Sequence, residues 1–328
     1  MRRLIGPTLV GLGVFLIVAA GLARFYAYPA LAKVPEGYNS TTDLEATGAQ
    51  IFNSDPEVLA AETHDLSITS DTREDVNADA PEGAVVWVNL TTIERADGTE
   101  FQKSTERVPF GEASGEAVDC DECDPFVEVR RIEDNELERV PTTFEGQVYK
   151  FPFGTERKDY DQWDGTLGEA VPATYEGEDD IQGVTVYKFV QEIEPTVVQT
   201  RDLPGSIFGS DESSVSAEVV YAMKRTFYVE PVTGSPIDRV EERTQELVYD
   251  GVRVPAFVGT VEYTDAQVDE NVEKVDSKAT LLGGLRVLFP MILLVLGAVL
   301  LGLGLVINRR LESDVADRDH QDRPLVTA

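Results

Sequence analysis

The sequence is short of basic residues, histidine and cysteine, and these shortages exclude several classes of function. Lysine and arginine number 28 against 60 aspartate and glutamate residues in a chain of 328, which gives a formal charge of −32. A nucleic-acid-binding protein needs clustered basic side chains for its phosphate contacts, so we expect no nucleic-acid partner. The two histidines, His64 and His320, are too few for a multi-histidine metal centre.

Motifs of catalysis are also missing. The chain contains no Walker A sequence, no dinucleotide-binding glycine fingerprint and no G-x-S-x-G nucleophile elbow. Asp75, Asn77 and Asp79 have the spacing of a calcium loop, but Ala80 stands where that loop needs glycine and Val86 where it needs glutamate. We therefore predict a protein that is not an enzyme and has no cofactor and no metal site.

Two uninterrupted apolar segments predict helices that cross a membrane. Leu4–Ala23 has 20 residues with Thr8 as its only polar side chain, and Val287–Ile307 has 21 residues and no charge. At about 1.5 Å per residue, each segment spans roughly 30 Å, the thickness of a bilayer core. A cleaved secretory signal is the alternative for the first segment, because residues 30–32 form a small-x-small pattern. The segment is longer than a signal's apolar region, which favours an uncleaved anchor.

The charges beside these segments predict their orientation. Two arginines lie in residues 1–3, and two more lie at the start of residues 308–328. The positive-inside rule places both termini in the cytoplasm, with the polar C-terminal tail disordered. Residues 24–286 then lie outside the plasma membrane, and they contain 22 basic and 55 acidic residues, a net charge of −33.

Residues 24–286 predict a mainly β, antiparallel extracytoplasmic domain between the two transmembrane helices. A turn at Gly98 joins the run that begins at Val85 to the run that ends at Val108, which indicates a hairpin. Aromatic and β-branched residues are enriched in strands, and further runs occur at Val184–Val190, Arg225–Val229, Ile237–Tyr249 and Phe257–Tyr263.

Two other segments of this domain have a different character. Residues 53–83 are acidic and poor in aromatic residues, so we expect a long loop there. Thr264 and Gln267 have the form of a capping box, which predicts a juxtamembrane helix over residues 265–282. Gly283–Gly284 predicts a break between that helix and the second span.

Cys120 and Cys123 form the one cysteine pair, with the spacing C-x-x-C. This spacing permits a local disulfide, a redox-active pair or half of a metal site. Four acidic neighbours disfavour the thiolate that redox chemistry needs, and zinc would require two further ligands. An extracytoplasmic position favours a structural disulfide.

The densest aromatic segment contains Phe151, Phe153, Tyr160 and Trp163. These residues suit a groove that binds a lipid or a glycan, and they equally suit the core of the domain. Within the second apolar segment, Ala298 and Gly302 have small-x-x-x-small spacing. Such residues let two helices approach closely, either the two spans of one chain or the spans of a homo-oligomer.

Several motifs resemble a family of actinobacterial membrane proteins, the PorA or porin family, long classed as a domain of unknown function. These motifs are Arg3–Pro7, Arg24–Pro29, Lys150–Thr155, Tyr160 with Trp163-Asp164, and Phe227–Gly234. The resemblance covers nearly the whole chain. It implies a Gram-positive, high-GC source and a cell-envelope location, and it implies no catalytic residues.

These observations lead to one functional hypothesis and two alternatives. We expect a two-pass cell-envelope protein whose extracytoplasmic domain binds a membrane lipid or another envelope component without catalysis. A channel-forming protein is the alternative that the family name implies, and an envelope scaffold is the third. A membrane β-barrel needs strands with an apolar outer face, whereas Ile237–Tyr249 is polar on both faces.

Overall fold

The computed structural model describes residues 2–131 and 137–321, and the chain divides into two units. A helical unit contains Met1–Ala32 and Ala279–Ala328, and a β unit contains Lys33–Lys278. The chain is therefore a mainly antiparallel β protein with an apolar helix near each end, as the sequence predicts.

The helical unit contains the two predicted apolar segments. Helix α1 spans Arg2–Leu22 and helix α4 spans Phe289–Gln321, and both are apolar enough to cross a membrane. Helix α4 continues past Ile307, so the C-terminal tail that we predicted to be disordered is helical over residues 308–321. The last seven residues of that tail, 322–328, lie outside the described residues.

Each apolar helix adjoins a π-helical turn. The first π turn, Ala23–Ala27, follows α1 and precedes the short helix α2 at Tyr28–Leu31. The second π turn, Gly284–Leu288, joins helix α3 at Asp265–Gly283 to helix α4. The predicted break at the two glycines is wrong, because Gly283 keeps helical dihedral angles and the winding changes from α to π without stopping.

Glycines determine how closely the backbones of α1 and α4 approach each other. A Cβ atom at Gly13 would lie 2.7 Å from the carbonyl oxygen of Gly297, and one at Gly304 would lie 2.8 Å from that of Gly6. Only hydrogen side chains allow the two backbones to pack this closely. Gly302, which we expected to contribute to helix packing, has open space where its Cβ would be.

Replacement of Gly13 by alanine should loosen this helix pair. The added Cβ would lie 2.6 Å from the Leu301 amide nitrogen, whereas a Cβ at Gly11 would meet no atom within 4 Å. Overpacking costs about 1–3 kcal/mol, and the gain in helix propensity is the same at both sites. Hydrogen–deuterium exchange of the full chain in detergent should show about 5-fold to 100-fold faster exchange within α1 for Gly13→Ala. Equal rates in Gly13→Ala and Gly11→Ala would contradict the described packing.

Twelve strands form one sheet in the described part of the β unit. Their bounds are β1 Asn39–Asn53, β2 Ala60–Glu74, β3 Ala84–Arg95, β4 Glu100–Gly111, β5 Phe126–Arg131, β6 Leu137–Pro141, β7 Tyr160–Asp164, β8 Glu169–Ile181, β9 Val184–Leu203, β10 Val215–Glu230, β11 Ser235–Tyr249 and β12 Val252–Tyr263. The order is β6-β5-β4-β3-β2-β1-β12-β11-β10-β9-β8-β7, an antiparallel meander in which the first and last strands meet at its centre.

Two predictions about strands have opposite outcomes. The hairpin predicted around Gly98 is confirmed as β3 and β4. The long loop predicted over residues 53–83 is wrong, because strand β2 lies there and pairs with both β1 and β3. Leu66 and Ile68 are buried on one face of β2, and Asp71 and Arg73 lie on the other face. The overall acidity of the segment therefore hid an alternating strand pattern.

The sheet curls, and a closing segment at residues 146–148 joins two parts of it. The Trp163 amide of β7 donates to the Gln147 carbonyl at 2.9 Å, and the Gln147 amide donates to the Asp161 carbonyl at 2.7 Å. On the opposite side, residues 115–118 bond to the closing segment and to the end of β4. The closing segment thus links the edge strand β7 to β4. The inner faces of strands that are far apart in the sheet order therefore face each other.

Helix α3 begins as predicted. The Gln267 amide donates to Thr264 Oγ1 at 3.2 Å, which is one half of a capping box. The side chain of Gln267 does not complete the box, because its Oε1 accepts from the Asp43 amide of β1 at 2.9 Å. The cap therefore fastens the start of α3 to the central strand pair β1 and β12.

Candidate functional site

The inner face of the curled sheet carries charged residues in the middle of strands β10 and β11. The register pairs Arg225 with Glu241, and both lie on the same face as the buried side chains of Tyr221, Met223 and Phe227. Side chains alternate between the two faces of a strand, so this ion pair points inward. We call Arg225, Arg239, Glu241, Asp164 and Tyr221 the interior cluster.

Arg225 connects three elements of the interior. Its Nε donates to Glu241 Oε1 at 2.8 Å, and its Nη1 donates to Oε1 of Gln191 on β9 at 2.8 Å. Its Nη2 lies 3.5 Å from Oδ2 of Asp164 at the end of β7. A guanidinium suits this position because its planar fork offers five donors in fixed directions.

Asp164 is the second acid of the interior cluster, and its side chain is 1% exposed. The Tyr221 hydroxyl donates to Oδ2 at 3.0 Å, and the amides of Thr166 and Leu167 donate to Oδ1 at 3.0 and 2.9 Å. These charge-assisted bonds satisfy the carboxylate and hold the turn after β7 in place.

The arginines keep Glu241 ionised. Burial on its own would raise the pKa of Glu241, but Arg225 and Arg239 outweigh burial and lower this pKa from 4.5 to about 2. Arg239 Nε lies 3.2 Å from the same Oε1 atom that Arg225 contacts. Burial lowers the pKa of Arg225, but Glu241 and Asp164 more than compensate, and the net effect raises this pKa. Glu241 and Arg225 therefore form a charged pair across the physiological pH range.

Glu106 of β4 faces the interior cluster from the opposite wall. Burial raises the pKa of its carboxyl, and the charges of Arg225 and Arg239 act in the opposite direction. Four strands separate β4 from β11 in the sheet order. A Cβ atom at Gly165, directly after β7, would lie 3.9 Å from Glu106 Oε1, so β4 and β7 face a common interior. Burial biases the Glu106 carboxyl there towards its neutral form.

Several buried donors around this interior have no hydrogen-bond partner among the described residues. They are Trp87 Nε1, Tyr149 OH, Gln162 Nε2 and Trp163 Nε1. Buried polar groups are normally bonded to protein or to internal water. The interior thus contains both buried charges and donors without a protein partner among the described residues. The described residues contain no group of three His, Cys, Asp or Glu side chains able to hold a metal ion.

The four predicted ligand-binding aromatics do not form one cluster. Phe151 is fully buried, stacks on Phe189 at 4.6 Å and meets Tyr160 edge-on at 5.5 Å, so it is a core residue. Trp163 packs against Phe144 at 5.1 Å. The structure therefore brings Phe151 and Tyr160 together, and it places Trp163 at the charged interior.

The ring of Phe153 contacts an unusual lysine. Lys150 Nζ lies 4.0 Å from the centre of that ring and donates to the Phe151 carbonyl at 2.5 Å. Burial lowers the pKa of Lys150 to about 7. Phe153 therefore supports a buried amine and is not part of an apolar groove with Phe151.

Cys120 and Cys123 are joined in a disulfide at a short 3₁₀ turn. Arg107 holds this turn, because its Nε donates to the Cys123 carbonyl at 2.7 Å and its Nη1 donates to Asp75 Oδ2 at 2.5 Å. The hydrogen bond from Arg107 lowers the pKa of Asp75. Asp75, the first residue of the calcium-like spacing, thus forms an ion pair with Arg107, which in turn holds the disulfide turn.

Sequence reasoning missed the interior cluster. The alternation Arg239, Glu241, Arg243 along a predicted strand was the available signal, because it places three charges on one face. We interpreted that strand as polar on both faces, and the structure shows that its inner polar face packs against Arg225.

Comparison with known proteins identifies the family. A family model described as Porin PorA matches residues 5–306. The chain belongs to the Porin PorA family. A relative named Porin PorA from Corynebacterium resistens is 34% identical over 82 residues, which cover 24% of this chain and 20% of the relative. The match thus spans about a fifth of that relative's length.

Membership confirms the resemblance that the sequence motifs indicated. The name of the Porin PorA family points to a channel rather than to an enzyme. Together with two helices of sufficient length and apolarity, it indicates a membrane protein.

Replacement of Glu241 by glutamine should remove a pH-dependent part of the stability. The depressed pKa means that Glu241 stabilises the fold fully above about pH 4.5 and loses this contribution as the pH falls towards 2. A pKa lowered from 4.5 to about 2 corresponds to roughly 3 kcal/mol. Both tryptophans, Trp87 and Trp163, lie in the β unit, so urea unfolding of the full chain followed by their fluorescence measures this loss.

The matched control is Glu242→Gln, which alters the exposed neighbour on the outer face of β11. Glu241→Gln should show a smaller fall in the free energy of unfolding between pH 5 and pH 3 than the wild type, and Glu242→Gln should follow the wild type. Identical pH dependence in all three proteins would show that Glu241 is not held by the arginines.

Proposed function

We propose that this protein forms channels in a cell membrane, as the name of its family states. The match to Porin PorA over residues 5–306 carries the proposal. The two apolar helices support it, because both are long and apolar enough to cross a membrane. The sequence favoured lipid binding and gave channel formation as an alternative; the lipid-binding hypothesis lacks support, since Phe151 lies in the core.

The helices, and not the strands, cross the membrane in this proposal. The outward positions of the sheet carry exposed charges such as Glu218 of β10 and Glu242 of β11. A strand that faces lipid needs an apolar outer face, because a charge at the bilayer centre costs about 2–4 kcal/mol. The helices instead expose apolar side chains, among them Phe15 at 65% and Val299 at 53%.

Several copies must assemble to enclose a pore. Within one chain, α1 and α4 pack directly on each other at Gly13 and Gly297, which leaves no passage between them. Neither apolar segment contains an ionisable residue, so the pore wall through the membrane would be neutral. Gly302, whose Cβ position is open, offers a surface at which a second copy could pack.

The charge of the β unit sets the expected selectivity. Both termini would lie in the cytoplasm, with the β unit outside the plasma membrane as a strongly acidic vestibule. Surfaces of one sign raise the local concentration of counter-ions at a channel mouth. The net charge of −33 over residues 24–286 would therefore favour cations.

Planar bilayers test the proposal directly. The purified full chain should give discrete conductance steps in potassium chloride, with a reversal potential in a salt gradient that reports preference for potassium. A chain that carries Leu12→Arg and Leu303→Arg is the matched control, because both positions are exposed on the apolar helices and the β unit is unaltered. Steps that are absent, or that occur equally in the control, would contradict the proposal.

A further inference from the structure

Arg24 and Arg286 occupy matching positions at the ends of the two apolar helices. Arg24 lies in the first π turn, directly after the apolar segment Leu4–Ala23. Arg286 lies in the second π turn, directly before Val287–Ile307. Both arginines thus lie at one end of the helix pair, the end opposite to the chain termini.

The register of the helix pair places the two arginines at the same height. Gly6 packs against Gly304, and Gly13 packs against Gly297. From Gly13 to Arg24 is 11 residues, and from Arg286 to Gly297 is also 11 residues. Equal residue counts from one pair of contacting glycines place the two arginines at about the same height along the helix pair.

Contacts between the π turns agree with this register. The first and second π turns contact each other in the helical unit. Arg24 also packs over aromatic rings of its own helix, with its guanidinium carbon 5.7 Å from the centre of Phe25 and 5.4 Å from that of Tyr28. These cation–π contacts restrict the guanidinium to the level of the exposed aromatic residues.

No acidic residue of the helical segments compensates this pair of charges. Residues 2–32 and 279–307 contain no aspartate or glutamate. In the β unit, by contrast, Arg225 and Arg107 each meet a carboxylate. Two like charges at one end of a helix pair repel each other, and an anion bound between them would replace this repulsion by attraction.

We propose that Arg24 and Arg286 together bind one phosphate group. A guanidinium donates two parallel hydrogen bonds to phosphate oxygens, and two guanidinium groups neutralise the charge of a phosphodiester or a phosphate ion. The chemistry is shared by an anionic lipid headgroup and by free phosphate. This site goes beyond channel formation and does not depend on whether the protein conducts ions.

Native mass spectrometry of the full chain in detergent tests the site. The probes are phosphatidylglycerol, phosphatidylcholine and inorganic phosphate. The wild type should bind its first phosphatidylglycerol at least 10-fold more tightly than its first phosphatidylcholine. The double variant Arg24→Gln/Arg286→Gln should lose this preference. Arg309→Gln, which removes an arginine at the other end of the same helix, should keep it.

Competition with inorganic phosphate distinguishes a lipid headgroup from free phosphate, and the variants show whether the proposal fails. Binding of phosphatidylglycerol that millimolar inorganic phosphate does not displace identifies a lipid headgroup, whereas displacement identifies free phosphate as a ligand of the same site. Unchanged preference in the double variant, or equal loss in Arg309→Gln, would overturn the proposal. Hydrogen exchange within α1 at the wild-type rate shows that the double variant keeps the helix pair intact.

Discussion

The carboxylate of Glu241 lies between the guanidinium groups of Arg225 and Arg239, and the interior of the β unit depends on this contact. An isolated charge in such a position would be unfavourable by several kcal/mol. Arg225 extends the contact to Gln191 of β9 and Asp164 of β7, so one side chain holds four strands in register. The curled sheet can therefore have a charged interior and still be a stable fold.

Much of the architecture could be predicted from local patterns. The hairpin around Gly98 follows from its turn and its flanking alternation, and α3 follows from the cap at Thr264. Strand β2 could not be identified from composition, because the segment is acidic and only Leu66 and Ile68 give its inner face a hydrophobic signal. The curl could not be predicted either, since it depends on Gln147, which bonds to β7 through backbone atoms that carry no sequence signal.

The candidate site was less accessible to sequence reasoning than the fold. A dense aromatic segment suggests a ligand-binding groove. In the structure, however, Phe151 is fully buried and the ring of Phe153 packs against the Lys150 amine. The residues that give the interior its character are charged, and charges are abundant in this chain. What distinguishes Arg225, Glu241 and Asp164 is burial on one face of paired strands, which depends on long-range register.

The helical unit and the β unit meet different physical requirements of a protein in the Porin PorA family. The helical unit presents apolar side chains that match a bilayer, and its glycines allow tight packing. The β unit presents charge on both of its faces, which suits water on the outside and a polar interior. A chain with this division can associate with a membrane without burying charge in lipid.

A double-mutant cycle between Arg225 and Asp164 tests most directly whether the interior cluster holds the curled sheet together. The free energies of unfolding of the wild type, Arg225→Met, Asp164→Asn and the double variant would be measured at neutral pH by tryptophan fluorescence. A coupling energy of about 1 kcal/mol or more is predicted, because the two side chains share one hydrogen-bonded network. Additive effects, within about 0.3–0.5 kcal/mol, would contradict the account.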